Sequence, residues 1–202
     1  MIDVETLRQS ARRRAASRPR PPFDGVIRDG HVRGVPTRSY TPYEKMTDAI
    51  VYFSHGGYGV FGDLDLQDAY CRRLATVLHR RVVAVDYRLA PENSFFDAVD
   101  DLESCVRVQA GTTGVILCGD SAGGAVSVAA GERIGATVRA VMLTNPNLDL
   151  TLQSFDRQAL QGPDCELNIV DGRGHGFMSD PDSADLVLRR AGAFIRRHLA
   201  VP

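Results

Sequence analysis

The sequence predicts an α/β fold in which a mostly parallel β-sheet carries helices on both faces. Short apolar runs rich in β-branched residues recur along the chain, and segments with a helical spacing of apolar side chains separate them. Continuous apolar strands are typical of a sheet covered on both faces, and each parallel crossover needs a helix to span it. With 202 residues, of which 44% are hydrophobic, the chain suffices for one such core.

The predicted elements alternate along the chain after a distinct N-terminal segment. Residues 1–24 are expected to form a basic helix and an extended connector, because the connector contains the proline-rich sequence RPRPPF, and residues 25–202 are expected to form one domain. The elements predicted in this domain are a strand at 49–54, a helix between 64 and 78, a strand at 82–85, a helix at 94–108, a strand at 114–118, a helix at 121–134, strands at 138–144 and 166–170, and a final helix at 183–199.

Charge and cysteine content argue against several classes of function. The 24 basic and 25 acidic residues leave a formal net charge of −1, which gives no overall field to attract nucleic acid or an anionic membrane. The four cysteines contain no C-x-x-C pair and no zinc-ligand spacing, so we expect reduced thiols and no metal. No apolar run approaches the roughly 18 residues of a transmembrane helix. We therefore expect a cytoplasmic protein without integral membrane segment, nucleic-acid partner, metal or cofactor.

The candidate nucleophile is Ser121, in the sequence GDSAG at residues 119–123. This is a G-x-S-x-G pattern between a predicted strand and a predicted helix, the context in which a serine stands exposed on a sharp turn. The alternative, a phosphate-binding glycine loop, lacks the Lys-Ser/Thr ending of such loops. We expect Asp120 to hydrogen-bond the backbone of this turn.

The candidate oxyanion hole comprises the backbone amides of Gly56, Gly57 and Ala122. Gly56 and Gly57 follow an earlier predicted strand and therefore lie at the sheet edge where Ser121 emerges, and Ala122 begins a helix. His55 precedes the two glycines, and we expect it to brace their loop.

The candidate general base is His175. It follows the last predicted strand, on the same sheet edge as Ser121, and it comes after the serine in the chain. The other histidines outside the glycine loop, His31, His79 and His198, fall on predicted surface or near a terminus.

Four motifs in this order resemble the hormone-sensitive-lipase family of α/β-hydrolases, which includes bacterial esterases. They are HGG at 55–57, DYRLAPE at 86–92, GDSAGG at 119–124 and HGF at 175–177. The resemblance implies an α/β-hydrolase fold and the hydrolysis of carboxylic esters through an acyl-enzyme on Ser121, with His175 as base. It also implies an oxyanion hole formed by Gly56, Gly57 and Ala122. The expected partner is a small-molecule ester, and an oligomer is compatible with the sequence.

One segment departs from the family pattern. Family members continue after the strand at 138–144 with cap helices and a further strand whose loop carries the catalytic aspartate, whereas here residues 147–151 are followed almost at once by a helix-like segment at 159–161. We therefore expect a sheet shortened by about one strand, no cap insertion, and an N-terminal helix that is what remains of a cap. A compact natural variant and an internal deletion both remain open.

The usual triad acid is expected to be absent, and the best substitutes are Asp149 and then Asp156. The leading hypothesis is a serine carboxylesterase for small, short-acyl esters, because a lost cap should leave a shallow, open pocket. The alternative is a catalytically impaired or non-catalytic small-molecule-binding member of the same fold, because a histidine without an orienting carboxylate has an unfixed tautomer. Amide hydrolysis uses the same groups and stays open.

Overall fold

The computed structural model describes residues 3–44, 49–109, 114–146, 174–175 and 180–199. The elements in these ranges are α1 (Val4–Ser17), β1 (Gly25–Val32), β2 (Val35–Pro42), β3 (Ile50–Ser54), α2 (Asp68–Leu78), β4 (Val82–Val85), α3 (Phe95–Gln109), β5 (Val115–Asp120), α4 (Ala122–Ile134), a 3₁₀ turn (Gly135–Thr137), β6 (Val138–Thr144) and α5 (Pro181–Leu199).

The strands of the described ranges form one sheet in the order β1-β2-β4-β3-β5-β6. Strands β4, β3, β5 and β6 run parallel to one another. The hairpin β1–β2 joins this unit at one edge, where β2 is antiparallel to β4. The prediction of a mostly parallel sheet is confirmed, and the bounds of the parallel strands lie within two residues of the predicted ones.

The β1–β2 hairpin is an element that the sequence analysis did not predict. Its two-residue link, Arg33 and Gly34, has φ values of 50° and 85°, and such tight links with positive φ suit the right-handed twist of a hairpin. Most side chains of β1 are exposed or only half-buried. An edge strand of this kind has no apolar run to mark it, so the glycine-containing link was its main signal.

Successive residues of the central strands face two separate cores. On β3, Val51 and Phe53 pack in the core under α2 and α5, which contribute Leu74 and Leu188. Tyr52, between them, packs in the other core, against α3 and α4. Side chains alternate across a strand, so a fully buried strand needs cover on both sides. The expectation of helices on both faces is therefore confirmed.

Several expectations concern residues outside the described ranges. The strand predicted at 166–170, the crossover before it and the expected shortening of the sheet all lie there. Among the described residues, Cys71, Cys105 and Cys118 are free and buried. Burial raises the pKa of Cys105 and of Cys118 to about 12, so both remain neutral thiols, as expected. No helix in these ranges combines the length and the apolar character needed to cross a membrane.

Candidate active site

Ser121 occupies the sharp turn between β5 and α4. Its backbone has φ 52° and ψ −117°, a region that side-chain-bearing residues rarely adopt. The turn is held at both ends, because the Ser121 amide donates to the carbonyl of Thr144 at 2.9 Å and the Gly124 amide donates to the carbonyl of Ser121 at 3.0 Å. Strain of about 1–3 kcal/mol persists at one residue only where its surroundings impose it. This is the backbone geometry expected for a nucleophile between a strand and a helix. Ser121 is nevertheless only 4% exposed, so the expectation of an exposed serine is wrong.

Gly123 allows α4 to begin close to the end of β3. A Cβ atom at this position would lie 2.1 Å from the carbonyl oxygen of Ser54, a distance that no side chain tolerates. The last glycine of the G-x-S-x-G motif is therefore required by the approach of helix to strand. That approach brings Ser121 next to the loop that follows β3.

His175 and Ser121 are in direct contact. The Nε2 atom of His175 lies 2.9 Å from Ser121 Oγ, although 54 residues separate the two in the chain. This distance is within the reach needed for proton transfer between a hydroxyl and a base. With its proton on Nδ1, the ring accepts a hydrogen bond from the serine. The structure thus brings together the nucleophile and the base that were predicted from the sequence.

The loop after β3 lies against the turn that carries Ser121. A Cβ atom at Gly56 would lie 3.2 Å from the Cβ of Ser121 and 2.7 Å from Oδ2 of Asp120. Ala122 is the first residue of α4, so its amide is one of the first-turn amides that have no hydrogen-bond acceptor within the helix. Gly57 follows Gly56 in the same loop. The three predicted oxyanion donors therefore share the edge of the sheet from which Ser121 emerges.

His55 braces this loop from within. It is 2% exposed, and its ring stacks on that of Tyr87 with centroids 4.3 Å apart. Nδ1 of His55 lies 2.9 Å from the carbonyl oxygen of Gly56, and the Tyr87 hydroxyl donates to the His55 carbonyl at 2.6 Å. Burial lowers the pKa of His55, so the ring is neutral at pH 7. The expected bracing role of His55 is confirmed.

Asp120 bonds differently from the expectation. Its Oδ2 accepts a hydrogen bond from the side-chain amide of Gln67 at 3.1 Å, and its buried Oδ1 has no hydrogen-bond partner among the described residues. The predicted bond to the turn's backbone is thus replaced by one to α2's N-cap residue. Burial raises the pKa of Asp120 to about 6, opposed by His175, Gln67 and Arg18. Sequence analysis missed Gln67, because no local pattern marks a partner 53 residues away.

The loop of residues 86–92 is anchored by three ion pairs. Arg88 binds the carboxylates of Asp97 and Asp101 on α3, each at 2.9 Å. Glu92 binds Arg8 of α1 at 2.6 Å. Arg88 and Glu92 therefore tie this loop to α3 and α1. Their partners became known only from the fold.

A cavity of about 380 Å³ opens beside Ala122. Its lining is predominantly apolar and consists of Tyr58, Gly59, Tyr87, Arg88, Ala90, Ser94, Phe95, Ala98, Ala122, Ala125 and Val126. Another cavity, of about 400 Å³, lies under α1 and is lined by charged groups that include Arg8, Asp63 and Asp86. The apolar cavity adjoins the serine, so it is the better place for the hydrocarbon part of a substrate.

Both substitute acids predicted for the triad, Asp149 and Asp156, lie outside the described residues. Within the described ranges, no group of three or more histidine, cysteine or acidic side chains could hold a metal ion. The described residues at this site offer a hydroxyl, an imidazole and backbone amides.

The sequence profile of one protein family, described as the alpha/beta hydrolase fold, matches residues 50–167, more than half of the chain. The chain belongs to this family. The predicted relationship to hormone-sensitive-lipase-like α/β-hydrolases is thereby confirmed, together with the predicted fold. The matched segment begins at β3 and includes Ser121 and the loop of residues 55–57.

Relatives of this α/β-hydrolase are named as esterases. Esterase LipI of Mycobacterium tuberculosis is 33% identical over 149 residues, which are 65% of this chain and 47% of that protein. A Pyrobaculum calidifontis esterase structure is 30% identical with a TM-score of 0.64, covering 81% of this chain and 60% of that one.

An esterase structure from the bacterial hormone-sensitive lipase family has a TM-score of 0.80 and covers 98% of this chain and 93% of that one, at 20% identity. At this identity the likeness concerns the fold alone. The chain spans less than half of the length of the curated relatives LipI and the Saccharolobus solfataricus arylesterase.

Proposed function

We propose that the protein is a serine hydrolase that cleaves carboxylic esters of small, short-acyl substrates. The observation that carries this proposal is the 2.9 Å contact between Ser121 Oγ and His175 Nε2, made by a serine on a strained strand-to-helix turn. The esterase names of the relatives, such as LipI and the arylesterase, favour an ester over other acyl compounds.

In this mechanism Ser121 Oγ attacks the carbonyl carbon of the ester while His175 Nε2 takes its proton. The tetrahedral intermediate collapses as its bond to the alcohol oxygen breaks, and His175 returns the proton to that oxygen. Water then attacks the acyl-enzyme, again with His175 as base. The second step releases the carboxylic acid and restores the Ser121 hydroxyl.

The amides of Gly56, Gly57 and Ala122 would donate hydrogen bonds to the negative charge that develops on the carbonyl oxygen. Donors that are already fixed before the reaction stabilise this charge without reorganising. The dipole of α4 supports them, since Ala122 stands at the positive end of that helix. Each of these donors is backbone, so their position depends on the loops that carry them.

The size of the apolar cavity supports a short acyl chain. Its volume of about 380 Å³ is near the lower end of the range for small-molecule sites. Tyr58 and Phe95 line it, with 69% and 45% of their surfaces exposed. A long chain would extend beyond this cavity into solvent, where further methylene groups gain little from burial.

We further propose that residues 1–24 serve as a small cap on the domain of residues 25–202. Ala11 and Ala15 on one face of α1 are buried against Leu66, with Phe61 packed beside them. These contacts lie on the segment that follows the proposed oxyanion donors. The helix therefore covers the loop on one side and leaves the cavity beside Ala122 accessible.

Labelling with a fluorophosphonate probe tests the proposal. The wild-type protein should gain one adduct at Ser121 and hydrolyse p-nitrophenyl acetate and butyrate faster than the decanoate. Ser121→Ala should lose both the labelling and the hydrolysis. Ser127→Ala should keep both, because Ser127 is a buried residue of α4 whose hydroxyl donates to the Cys118 carbonyl. A folded wild-type protein without an adduct would contradict the proposal and favour a non-catalytic binder. Faster cleavage of a matched anilide would assign an amidase.

A further inference from the structure

Arg8 connects α1 to two separate loops of the hydrolase domain. Its Nε donates to the carbonyl of Val60 at 3.0 Å, and its Nη2 donates to the carbonyl of Ala90 at 3.0 Å. Its two terminal nitrogens also bind the two carboxylate oxygens of Glu92, at 2.8 and 2.6 Å. The Arg8 side chain is 20% exposed, and its bonds to the two carbonyls are partly buried, whereas its partner Glu92 is 56% exposed. A planar guanidinium is suited to holding several acceptors in one fixed arrangement.

The first of these loops has a strained backbone. Gly57, Tyr58 and Gly59 have φ values of 132°, 56° and 75°, so three successive residues lie in the left-handed half of conformational space. Such a conformation at a non-glycine residue costs about 1–3 kcal/mol and persists where the surroundings impose it. The side chain of Tyr58 is 69% exposed and supplies little of that support.

Hydrogen bonds at the end of the turn supply the support instead. The amides of Val60 and Phe61 both donate to the Gly57 carbonyl at 3.0 Å, which closes the turn. The Val60 carbonyl is in turn the acceptor for Arg8. The Val60–Phe61 peptide group therefore binds Arg8 through its carbonyl and closes the turn over Gly57 through its amide.

The second loop closes a circuit with the first. The amide of Ala90 donates to the Gly59 carbonyl at 2.8 Å, while the Ala90 carbonyl accepts from Arg8. Gly59 and Val60 are thus tied to Ala90 both directly and through Arg8. A displacement of the turn would break bonds on both sides of this circuit.

We propose that Arg8 is a positioning residue for the oxyanion hole, which holds the turn of residues 57–60 so that the Gly57 amide points at the developing oxyanion. The inference rests on the proposed esterase function. Arg8 touches no reacting atom and acts through the Val60 and Ala90 carbonyls. Because an oxyanion donor binds the transition state more strongly than the substrate, its misalignment lowers kcat with little change in KM.

The test compares Arg8→Met, Arg8→Lys and Arg12→Met. Arg12 is a matched control on the same helix, because its side chain is 60% exposed and pairs with Glu5, also on α1. Kinetics on p-nitrophenyl butyrate are normalised to active sites titrated with fluorophosphonate. We expect kcat of Arg8→Met to fall about tenfold or more, less than the loss of an entire oxyanion donor, with KM changed by less than about twofold. Arg8→Lys should recover part of kcat, and Arg12→Met should match the wild type.

Two further readouts separate positioning from general stability. The affinity for a trifluoromethyl ketone, which forms a tetrahedral adduct, should fall in parallel with kcat across the series. Amide hydrogen exchange of residues 55–62 should accelerate in Arg8→Met and not in Arg12→Met. If Arg8→Met does not fold, the same comparison between Arg8→Lys and the wild type decides the question. Lysine keeps the positive charge but lacks the planar set of donors of the guanidinium.

The inference is overturned if kcat per active site and exchange of residues 55–62 are both unchanged in Arg8→Met. It is also overturned if only the thermal midpoint falls, since that describes a packing role. Failure of the proposed function looks different, because the wild-type protein would then take no fluorophosphonate label. The exchange experiment would still report whether Arg8 holds the turn.

Discussion

Oγ of Ser121 and Nε2 of His175 lie 2.9 Å apart at the edge of the parallel sheet. The serine is held by a turn between β5 and α4, and the histidine comes from a separate segment 54 residues later. A contact between two such residues places a weak nucleophile next to a base that can accept its proton. This relationship leads to specific expectations for activity, and the surrounding packing leads to others for stability.

His175→Gln should lower kcat/KM for short esters by about 10³-fold or more, because glutamine cannot accept the Ser121 proton as imidazole does. Initial rates with p-nitrophenyl acetate measure this change. His31→Gln is the control, since His31 is exposed on β1 and should leave the rate unchanged. Equal rates for His175→Gln and wild type would exclude His175 as the base.

Gly123→Ala should destabilise the protein by about 2 kcal/mol or more, because the new Cβ would lie 2.1 Å from the Ser54 carbonyl oxygen. Urea unfolding measures the difference. Gly30→Ala is the matched control, because a Cβ at Gly30 meets nothing within 4 Å. A free energy of unfolding for Gly123→Ala equal to that of Gly30→Ala would show that the helix start can move away from β3.

Asp120→Asn should remove part of the pH dependence of stability. Burial raises the pKa of Asp120 from 3.8 to about 6, so the folded state binds more protons than the unfolded state between these values. The contribution of Asp120 to the free energy of unfolding is fully present below about pH 4. It is lost as the pH rises towards 6, by up to about 3 kcal/mol at about 1.4 kcal/mol per pH unit.

Urea unfolding of wild type and Asp120→Asn between pH 4 and 7 tests this expectation. The wild-type free energy of unfolding should decline more steeply with pH than that of the variant. A residual decline is expected from Asp86, whose pKa burial also raises to about 6. Identical slopes for the two proteins would mean that Asp120 does not titrate in this window.

Asp68→Ala should destabilise the protein by about 3 kcal/mol, because it removes a buried carboxylate that pairs with Arg38 and Arg72, whose side chains are 13% and 18% exposed. Asp68 is 1% exposed and accepts hydrogen bonds from the Tyr40 hydroxyl at 2.8 Å and from Arg72 Nε at 2.6 Å. Asp65→Ala is the control, since the Asp65 side chain is 50% exposed and its ion pairs contribute little. Similar thermal midpoints for both variants would contradict this expectation.

Ala125→Leu should shift the substrate preference towards the shortest acyl chains, because Ala125 lines the cavity of about 380 Å³ beside Ala122. The ratio of kcat/KM for p-nitrophenyl butyrate to that for the acetate should fall about tenfold or more, because one methylene group in an apolar pocket changes such ratios by about 10-fold to 200-fold. The acetate rate is the internal control. An unchanged ratio would mean that the acyl chain does not enter this cavity.

Much of the fold could be predicted because its signals are local. The apolar runs at 82–85 and 138–144 are strands with those bounds, and the G-x-S-x-G pattern marks the turn of Ser121. The hairpin β1–β2 was not predicted from the sequence, because a half-exposed edge strand has no apolar run. Asp101 shows a different limit: it lies in an acidic stretch of α3, and the structure buries it to 6% exposure against Arg88.

The amino-acid order determined which groups are chemically available and where the chain turns, because a glycine, a serine or an apolar run acts on its immediate neighbours. Packing of the sheet and helices determined which distant groups meet. Ser121 and His175 come together across 54 residues, and Arg8 reaches Ala90 and Glu92 across 82 and 84. Contacts at such separations depend on how the helices and loops pack on the sheet, and the spacing of neighbouring residues in the sequence does not carry that information.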